Sequence, residues 1–235
     1  MLQVSEIDFP RIKMYKRDMS IQSELFAPSP TDTLAFEKMA QKLGFLRIAG
    51  IDEAGRGPLA GPVTAAAVIL PPGLLISGVD DSKKLSPDKR ENLFDVIMAL
   101  ALFVGVGTVS PAEIDRINIL QATRTAMLAA VQTLSVPPDY LLIDGISTID
   151  SVIPQKTIKK GDTLSLSIAA ASIIAKVTRD RYMIAMDAEY PGYGFAGHKG
   201  YGSAAHLDAI RKLGPTPIHR LTFGGVKEYA VCSSF

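Results

Sequence analysis

One cysteine, Cys232, stands in 235 residues, which excludes an intrachain disulfide and a thiolate zinc cage. Long apolar runs are missing as well. The longest stretch without a charge, 57–79, is broken by four prolines and four glycines and cannot form a membrane helix. The first 25 residues mix acids and bases and contain no apolar core of a secretory signal, so the expectation is a cytoplasmic protein with no membrane partner. Neither repeats nor low-complexity tracts occur. A net charge of +1 removes the overall basic signature of many nucleic-acid binders. Within that balance, residues 156–235 carry 11 Lys and Arg against 6 Asp and Glu, and residues 1–155 carry 14 against 18. Such a division can set a cation site beside an anion-binding face. On charge alone, both halves read as solvated surface.

What is present is a normal globular composition, 47% hydrophobic and 21% charged, enough for one sizeable core or two small ones. Residues 1–44 are polar, with a break at Ala27-Pro28-Ser29-Pro30 and one short amphipathic stretch at 33–43, and read as an arm that packs on the body or frays from it. The body is 45–235. Its opening runs, 45–51 and 64–70, read as strands joined by a Gly/Pro turn, hence an antiparallel pair. Ser86-Pro87-Asp88 supplies an N-cap, a proline at the first helical position and a first-turn acid. Further strands are expected at 102–109, 140–143 and 151–159, a helical region from Pro111 to the Pro137-Pro138 stop, and helices at 164–188 and 203–213. The alternation opened by a hairpin predicts an α/β fold, a mixed β-sheet flanked by helices.

Four carboxylates fall at element ends. Asp52-Glu53 follows the first strand and precedes Ala54-Gly55-Arg56-Gly57; Asp144 ends another strand; Asp162 sits just before the long helix. An all-oxygen set of this kind suits a hard divalent cation. Strand-end acids are equally at home as solvated turn residues, and adjacent strand residues point to opposite faces. The two neighbouring acids share a site if the strand ends at Asp52 and the glycines turn the chain. The Gly-rich segment matches neither the Walker nor the dinucleotide fingerprint; it reads as a hairpin turn or as a backbone clamp on sugar or phosphate, with Arg56 available for a phosphate.

These motifs, taken in order, resemble type 2 ribonuclease H (ribonuclease HII). The resemblance runs from Gly50-Ile51-Asp52-Glu53-Ala54-Gly55-Arg56-Gly57 through Asp81-Ser82-Lys83-Lys84, Leu142-Ile143-Asp144-Gly145 and Lys160-Gly161-Asp162. It continues with Ala171-Ser172-Ile173-Ile174-Ala175-Lys176-Val177-Thr178-Arg179-Asp180, His198-Lys199-Gly200-Tyr201-Gly202 and Pro217-Ile218-His219-Arg220. It implies a ribonuclease H-like fold in which Asp52, Glu53, Asp144 and Asp162 are the catalytic, metal-binding carboxylates for Mg²⁺ or Mn²⁺. The implied reaction is two-metal hydrolysis of the RNA strand of RNA-DNA hybrids, with cleavage 5′ of single ribonucleotides in duplex DNA, leaving 3′-hydroxyl and 5′-phosphate ends. Gly55, Arg56 and Gly57 correspond to backbone contacts with the 2′-hydroxyl, and Tyr201 to the tyrosine against the junction sugar. Lys83 and Lys176 correspond to phosphate contacts, and Ser172 lies in the same matched helix. The three histidines show no ligand spacing and read as surface or structural. The protein is expected to be a monomer. The 1–44 arm lies outside the resemblance and is shorter than the substrate-binding domain of the type 3 enzymes, which lack Gly-Arg-Gly. A binder that keeps the fold without cutting would gain from losing the four acids; all four are present.

Overall fold

The computed structural model describes residues 32–79 and 85–230. Five strands, β1 (Ile48–Ala54), β2 (Val63–Ile69), β3 (Phe103–Val109), β4 (Tyr140–Asp144) and β5 (Gln155–Ile158), form one sheet in the order β3-β2-β1-β4-β5. The hairpin expected at the start is there: β1 and β2 pair antiparallel, as do β2 and β3, whereas β4 and β5 join on the parallel side. The sheet is mixed: a short connection returns β2 antiparallel to β1, a longer one carrying a helix returns β3 antiparallel to β2, and the helical crossover after β3 brings β4 in parallel to β1.

All seven residues of β2 are buried because both faces of the sheet are covered. Val63, Ala65, Ala67 and Ile69 pack with Ala122, Ala126, Met127 and Ala130 of α4 (Ile119–Gln132). Ala66 and Val68 face Ala170, Ala171, Ile173 and Ile174 of α6 (Leu166–Glu189) and Leu93 and Ile97 of α2 (Pro87–Leu100). The long helix starts where Ser165 accepts a hydrogen bond from the Ile168 amide, and it lies so close to β1 that a Cβ on Gly50 would fall 2.1 Å from the carbonyl carbon of Ser167. Gly50 is therefore what lets the sheet and α6 touch.

The helical region after Pro111 divides into α3 (Pro111–Ile117) and α4, because Asn118 takes φ 67° and its side chain caps the second helix by accepting from Leu120 and Gln121 amides. Of the 1–44 arm, the described part carries α1 (Ala35–Lys42), whose Phe36 and Ala40 pack with Ile48, Leu142 and Ile168 of the body. Three short helices, α5 (Gly161–Leu164), α7 (Phe195–His198) and α9 (Lys227–Ala230), and the longer α8 (Ala204–Leu213), complete the described elements. No helix among the described residues is long and apolar enough to cross a membrane.

Candidate active site

The strand does not end at Asp52. β1 stays paired with β2 through Asp52↔Ala66, Glu53↔Ala65 and Ala54↔Thr64, so the pleat is maintained and the two acids point to opposite faces. Ala49 and Ile51 mark the α4 face and Gly50 the α6 face; Asp52 belongs with Gly50. Its carboxylate is 4% exposed and accepts from the Glu53 amide at 2.7 Å and from the Ser172 hydroxyl of α6. Ser172, itself buried, thus reaches the first carboxylate from beneath.

Asp144 reaches the same place from β4. The last registered pair of the parallel ladder is Ile51↔Ile143, so Asp52 and Asp144 stand next to each other at the strand ends, on the face that α6 covers. Asp144 Oδ1 accepts from the Gly161 amide at 2.6 Å, which draws in the turn carrying Asp162, a residue 7% exposed. Burial pushes the Asp52 carboxyl well up from the usual carboxylate range, and the nearby charges of Glu53 and Asp144 push the same way. Glu53 carries an ion pair with Arg56 at 3.3 Å. Among the described residues no three His, Cys, Asp or Glu side chains are gathered closely enough to hold a metal ion as they stand. The chemistry of the donors nevertheless fits a hard dication: oxygen ligands only, with crowded negative charge that a cation would relieve.

Beyond β1 the chain turns at Gly55, φ 96°, a conformation that favours glycine. The carbonyls of this turn point inward to Arg220, 0% exposed: Nη2 donates to Gly55 at 2.5 Å and Nη1 to Arg56 at 2.9 Å, while Nε and Nη2 both reach Gly61. A trans peptide sets N–H opposite C=O, so the amides of Arg56 and Gly57 face away from Arg220. Arg179 of α6, equally buried, donates to Ala60, Pro62 and Lys199 carbonyls and so ties the glycine turn to the Lys199–Tyr201 segment. Burial, with Arg179 beside it, lowers the Arg220 guanidinium to about 9, which leaves it charged at neutral pH.

Tyr201 is 45% exposed and its ring stands beside Gly57, where an added Cβ would be 3.8 Å from Cε1. Lys176 Nζ lies 6.0 Å from the ring centroid and donates to Asp180 at 2.7 Å. Burial lowers the Lys176 ammonium despite Asp180. Both side chains line a cavity of about 350 Å³ with Arg90, Asp180, His198 and Lys199. The structure therefore sets Gly57 beside Tyr201, which shares its cavity with Lys176, and Ser172 against Asp52; Gly55 and Arg56 belong to the same turn as Gly57 but do not line that cavity, and Lys83 lies outside the described residues. Sequence reasoning assigned no role to Arg179 and Arg220. No local signal marked Arg179, which sits among Lys176, Asp180 and Arg181 in the charged half of its helix.

Three comparisons bear on this arrangement. The Ribonuclease HII family profile matches residues 49–226. A Ribonuclease HII of Geobacter sp. (strain M21) is 70% identical over 201 residues, 86% of this chain and 87% of the relative, and one of Pelobacter propionicus is 66% identical over 213 residues, 91% and 97%. Among solved structures, the ribonuclease H2 from Pyrococcus horikoshii aligns with a TM-score of 0.67 at 28% identity, covering 78% of this chain and 97% of that one. The RNase HII in a PCNA complex from Archaeoglobus fulgidus aligns with a TM-score of 0.63 at 25% identity, covering 76% and 95%. With the profile spanning the strand-end acids, the glycine turn and the buried arginines alike, the chain belongs to the ribonuclease HII family and is a ribonuclease H enzyme with the ribonuclease H-like fold.

Proposed function

We propose that the chain is a metal-dependent endoribonuclease that hydrolyses the RNA strand of RNA-DNA hybrids and also cuts 5′ of a single ribonucleotide embedded in duplex DNA, leaving 3′-hydroxyl and 5′-phosphate ends. The carrying observation is the inward grip of Arg220 on the Gly55 and Arg56 carbonyls, which presents the next two amides outward beside Tyr201. One 2′-hydroxyl is the only difference between a ribonucleotide and its DNA neighbours that such a reader needs to sense. Amides fixed in advance give a hydroxyl oxygen donors at no reorganisation cost, and the lack of a side chain at Gly57 allows close approach. Tyr201 would lie flat against the adjoining sugar, where a 2′-hydroxyl or its absence alters the fit. Arg56, half exposed and paired with Glu53, and Lys176, paired with Asp180, would supply the phosphate contacts.

Asp52, Glu53, Asp144 and Asp162 would hold Mg²⁺ or Mn²⁺, two ions in the proposed mechanism; Glu53 leaves β1 on the opposite face and would have to reach round the strand end, where its charge already acts on Asp52. The chemistry such cations supply is Lewis acidity, neutralising the phosphate charge that grows in the transition state and acidifying the attacking water. Ser172 and the Glu53 amide orient the Asp52 carboxylate, and the Gly161 amide orients Asp144, so both hold their geometry before substrate arrives. No histidine base is required.

The test uses a labelled DNA duplex with one ribonucleotide beside an all-DNA duplex, with Mg²⁺ or Mn²⁺ and with the Asp144→Asn variant. Cleavage of the first duplex alone, 5′ of the ribonucleotide and by the parent alone, is expected. Binding without cleavage under either cation would replace this reading with a hybrid-binding protein.

A further inference from the structure

Two of the three histidines read from sequence as surface or structural, His206 and His219, form a buried hydrogen-bonded pair behind Tyr201, and the half-buried third, His198, stacks on His206. His206 and His219 are 0% and 1% exposed. His206 Nδ1 lies 2.9 Å from the Tyr201 carbonyl, His206 Nε2 lies 3.0 Å from His219 Nε2, and His219 Nδ1 receives the Thr216 amide at 2.9 Å. Only one proton arrangement satisfies every contact. A carbonyl can only accept, so His206 carries its proton on Nδ1; an amide can only donate, so His219 carries its proton on Nε2. His219 Nε2–H then donates to the bare Nε2 of His206. His198 follows the same logic, accepting from the Gly200 amide at Nδ1 and donating from Nε2 to the Tyr193 carbonyl, with its ring stacked on His206 at 4.4 Å.

The pair has two ends of consequence. At one end is the backbone of Tyr201. At the other is the 218–220 segment, where Ala60 bridges His219, Ile218 accepts from Gly61, and Arg220 grips the glycine turn. The histidine pair therefore joins the two parts of the site that would read the sugar. Burial lowers both imidazoles to about 4, so the pair is uncharged at neutral pH and the proton arrangement persists; a further proton on His206 Nε2 would face the His219 donor.

We propose that His219 and His206 are positioning residues for cleavage at an isolated ribonucleotide: His219 donates to the bare Nε2 of His206 and reinforces the tautomer that the Tyr201 carbonyl selects, and His206 holds the Tyr201 backbone so that its ring stays in register with the glycine turn. The inference rests on the reading of Tyr201 as a sugar contact. It acts at a distance from the reacting atoms, much as a buried partner fixes the tautomer of a catalytic imidazole in other enzymes.

The discriminating substitutions are at His219. Glutamine can place an amide N–H where His219 Nε2–H lies; leucine removes the donor and leaves His206 Nε2 buried without a partner, so that only the Tyr201 carbonyl holds the ring in place. With Mg²⁺, His219→Leu is expected to lower kcat/KM on the single-ribonucleotide duplex roughly tenfold, the scale of one lost hydrogen bond, and to affect a continuous RNA-DNA hybrid less. His219→Gln should restore most of that loss, and adding His219→Leu to Tyr201→Ala should cause no further loss. Equal losses on both substrates, no restoration by glutamine in a folded protein, or multiplying losses in the double variant would each overturn the inference. Nitrogen-15 spectra of the parent imidazoles give a reading that needs no variant: His206 protonated at Nδ1 and His219 at Nε2 are expected, and the reverse is fatal. If Tyr201→Ala leaves junction cleavage unchanged, the sugar-contact reading falls and takes the inference with it; if Tyr201→Ala is damaging and His219→Leu is not, the inference falls alone.

Discussion

The guanidinium of Arg220 and the carbonyl of Gly55 are joined at 2.5 Å, 165 residues apart in the chain. Through this and its bonds to Arg56 and Gly61, one buried side chain from near the end of the described chain fixes the turn that follows the first strand. Planarity gives arginine this capacity; an ammonium is a single point of contact. Arg220→Lys is therefore expected to leave at least one buried carbonyl unpaired and to lower unfolding free energy by roughly 2–4 kcal/mol. Cleavage of the single-ribonucleotide duplex should fall further than the folded fraction does. Urea unfolding beside activity at matched folded concentration checks this, and a lysine variant with parental stability and turnover would show that the fork is dispensable.

Gly50 tests the contact that places Asp52. A methyl group there would lie 2.1 Å from Ser167 C and 2.4 Å from Ile168 N, both backbone atoms that cannot rotate away. Gly50→Ala must push α6 off the sheet, at a cost of about 3 kcal/mol or more, and carry Ser172 away from Asp52. A calorimetric melting temperature well below the parent's, with weakened cleavage, is the expected result.

The expected antiparallel opening hairpin, the helix capped by Ser86 and the strand carrying Asp144 at its end were legible because each has a local cause: alternating or continuous apolar residues, a cap, a proline. The end of β1 was not legible. Gly55 and Gly57 suggest a break at Asp52, yet pairing to Ala65 and Thr64 carries the strand to Ala54, and that pairing is a property of the neighbour. The split at Asn118 escaped because apolar spacing continues across it while one residue takes a positive φ. In the site, acids at strand ends stood out by residue type. Arg179, Arg220 and the histidine pair did not, since they bond backbone groups or each other, the two arginines across as many as 119 and 165 residues, and backbone groups leave no mark in a sequence.

The described end of the polar arm has a specific hold on the body. Glu37 Oε1 accepts from the Ser165 hydroxyl at 2.6 Å, the Ser167 hydroxyl at 2.7 Å and the Ser167 amide at 3.1 Å. A carboxylate here also meets the positive end of the 24-residue α6. The Thr33 carbonyl accepts from the Leu166 amide beside it, so α1 braces the turn that follows Asp162. Glu37→Ala should lower unfolding free energy by about 2–3 kcal/mol and reduce turnover less severely than Asp162→Asn. Chemical unfolding of the two variants side by side measures the first, and steady-state cleavage the second; an alanine variant as stable as the parent would show that α1 is an appendage.

As a proposed metal ligand, Asp52 would act on cleavage and on stability with opposite signs. Its folded-state pKa is raised by burial and by the charges of Glu53 and Asp144, so the folded protein holds this proton more firmly than the unfolded chain does. Its contribution is then present below the ordinary carboxylate range and is lost as pH rises through the folded value. At neutral pH without divalent cation, Asp52→Asn should raise the melting temperature, because it removes a crowded buried charge and keeps the shape. The same variant should lose about 10²–10³-fold in cleavage, the scale on which a principal electrostatic group acts. Mg²⁺ should raise the melting temperature of the parent more than that of Asp52→Asn, since a ligand stabilises whichever folded state binds it. Calorimetry at pH 5 and pH 8, with and without Mg²⁺, separates these effects: the gain from Asp52→Asn should grow with pH and shrink when the cation is added. A variant less stable than the parent at every pH would mean that the bonds from Ser172 and the Glu53 amide outweigh the crowding, and that Asp52 is held by its donors as firmly as it is strained by its neighbours.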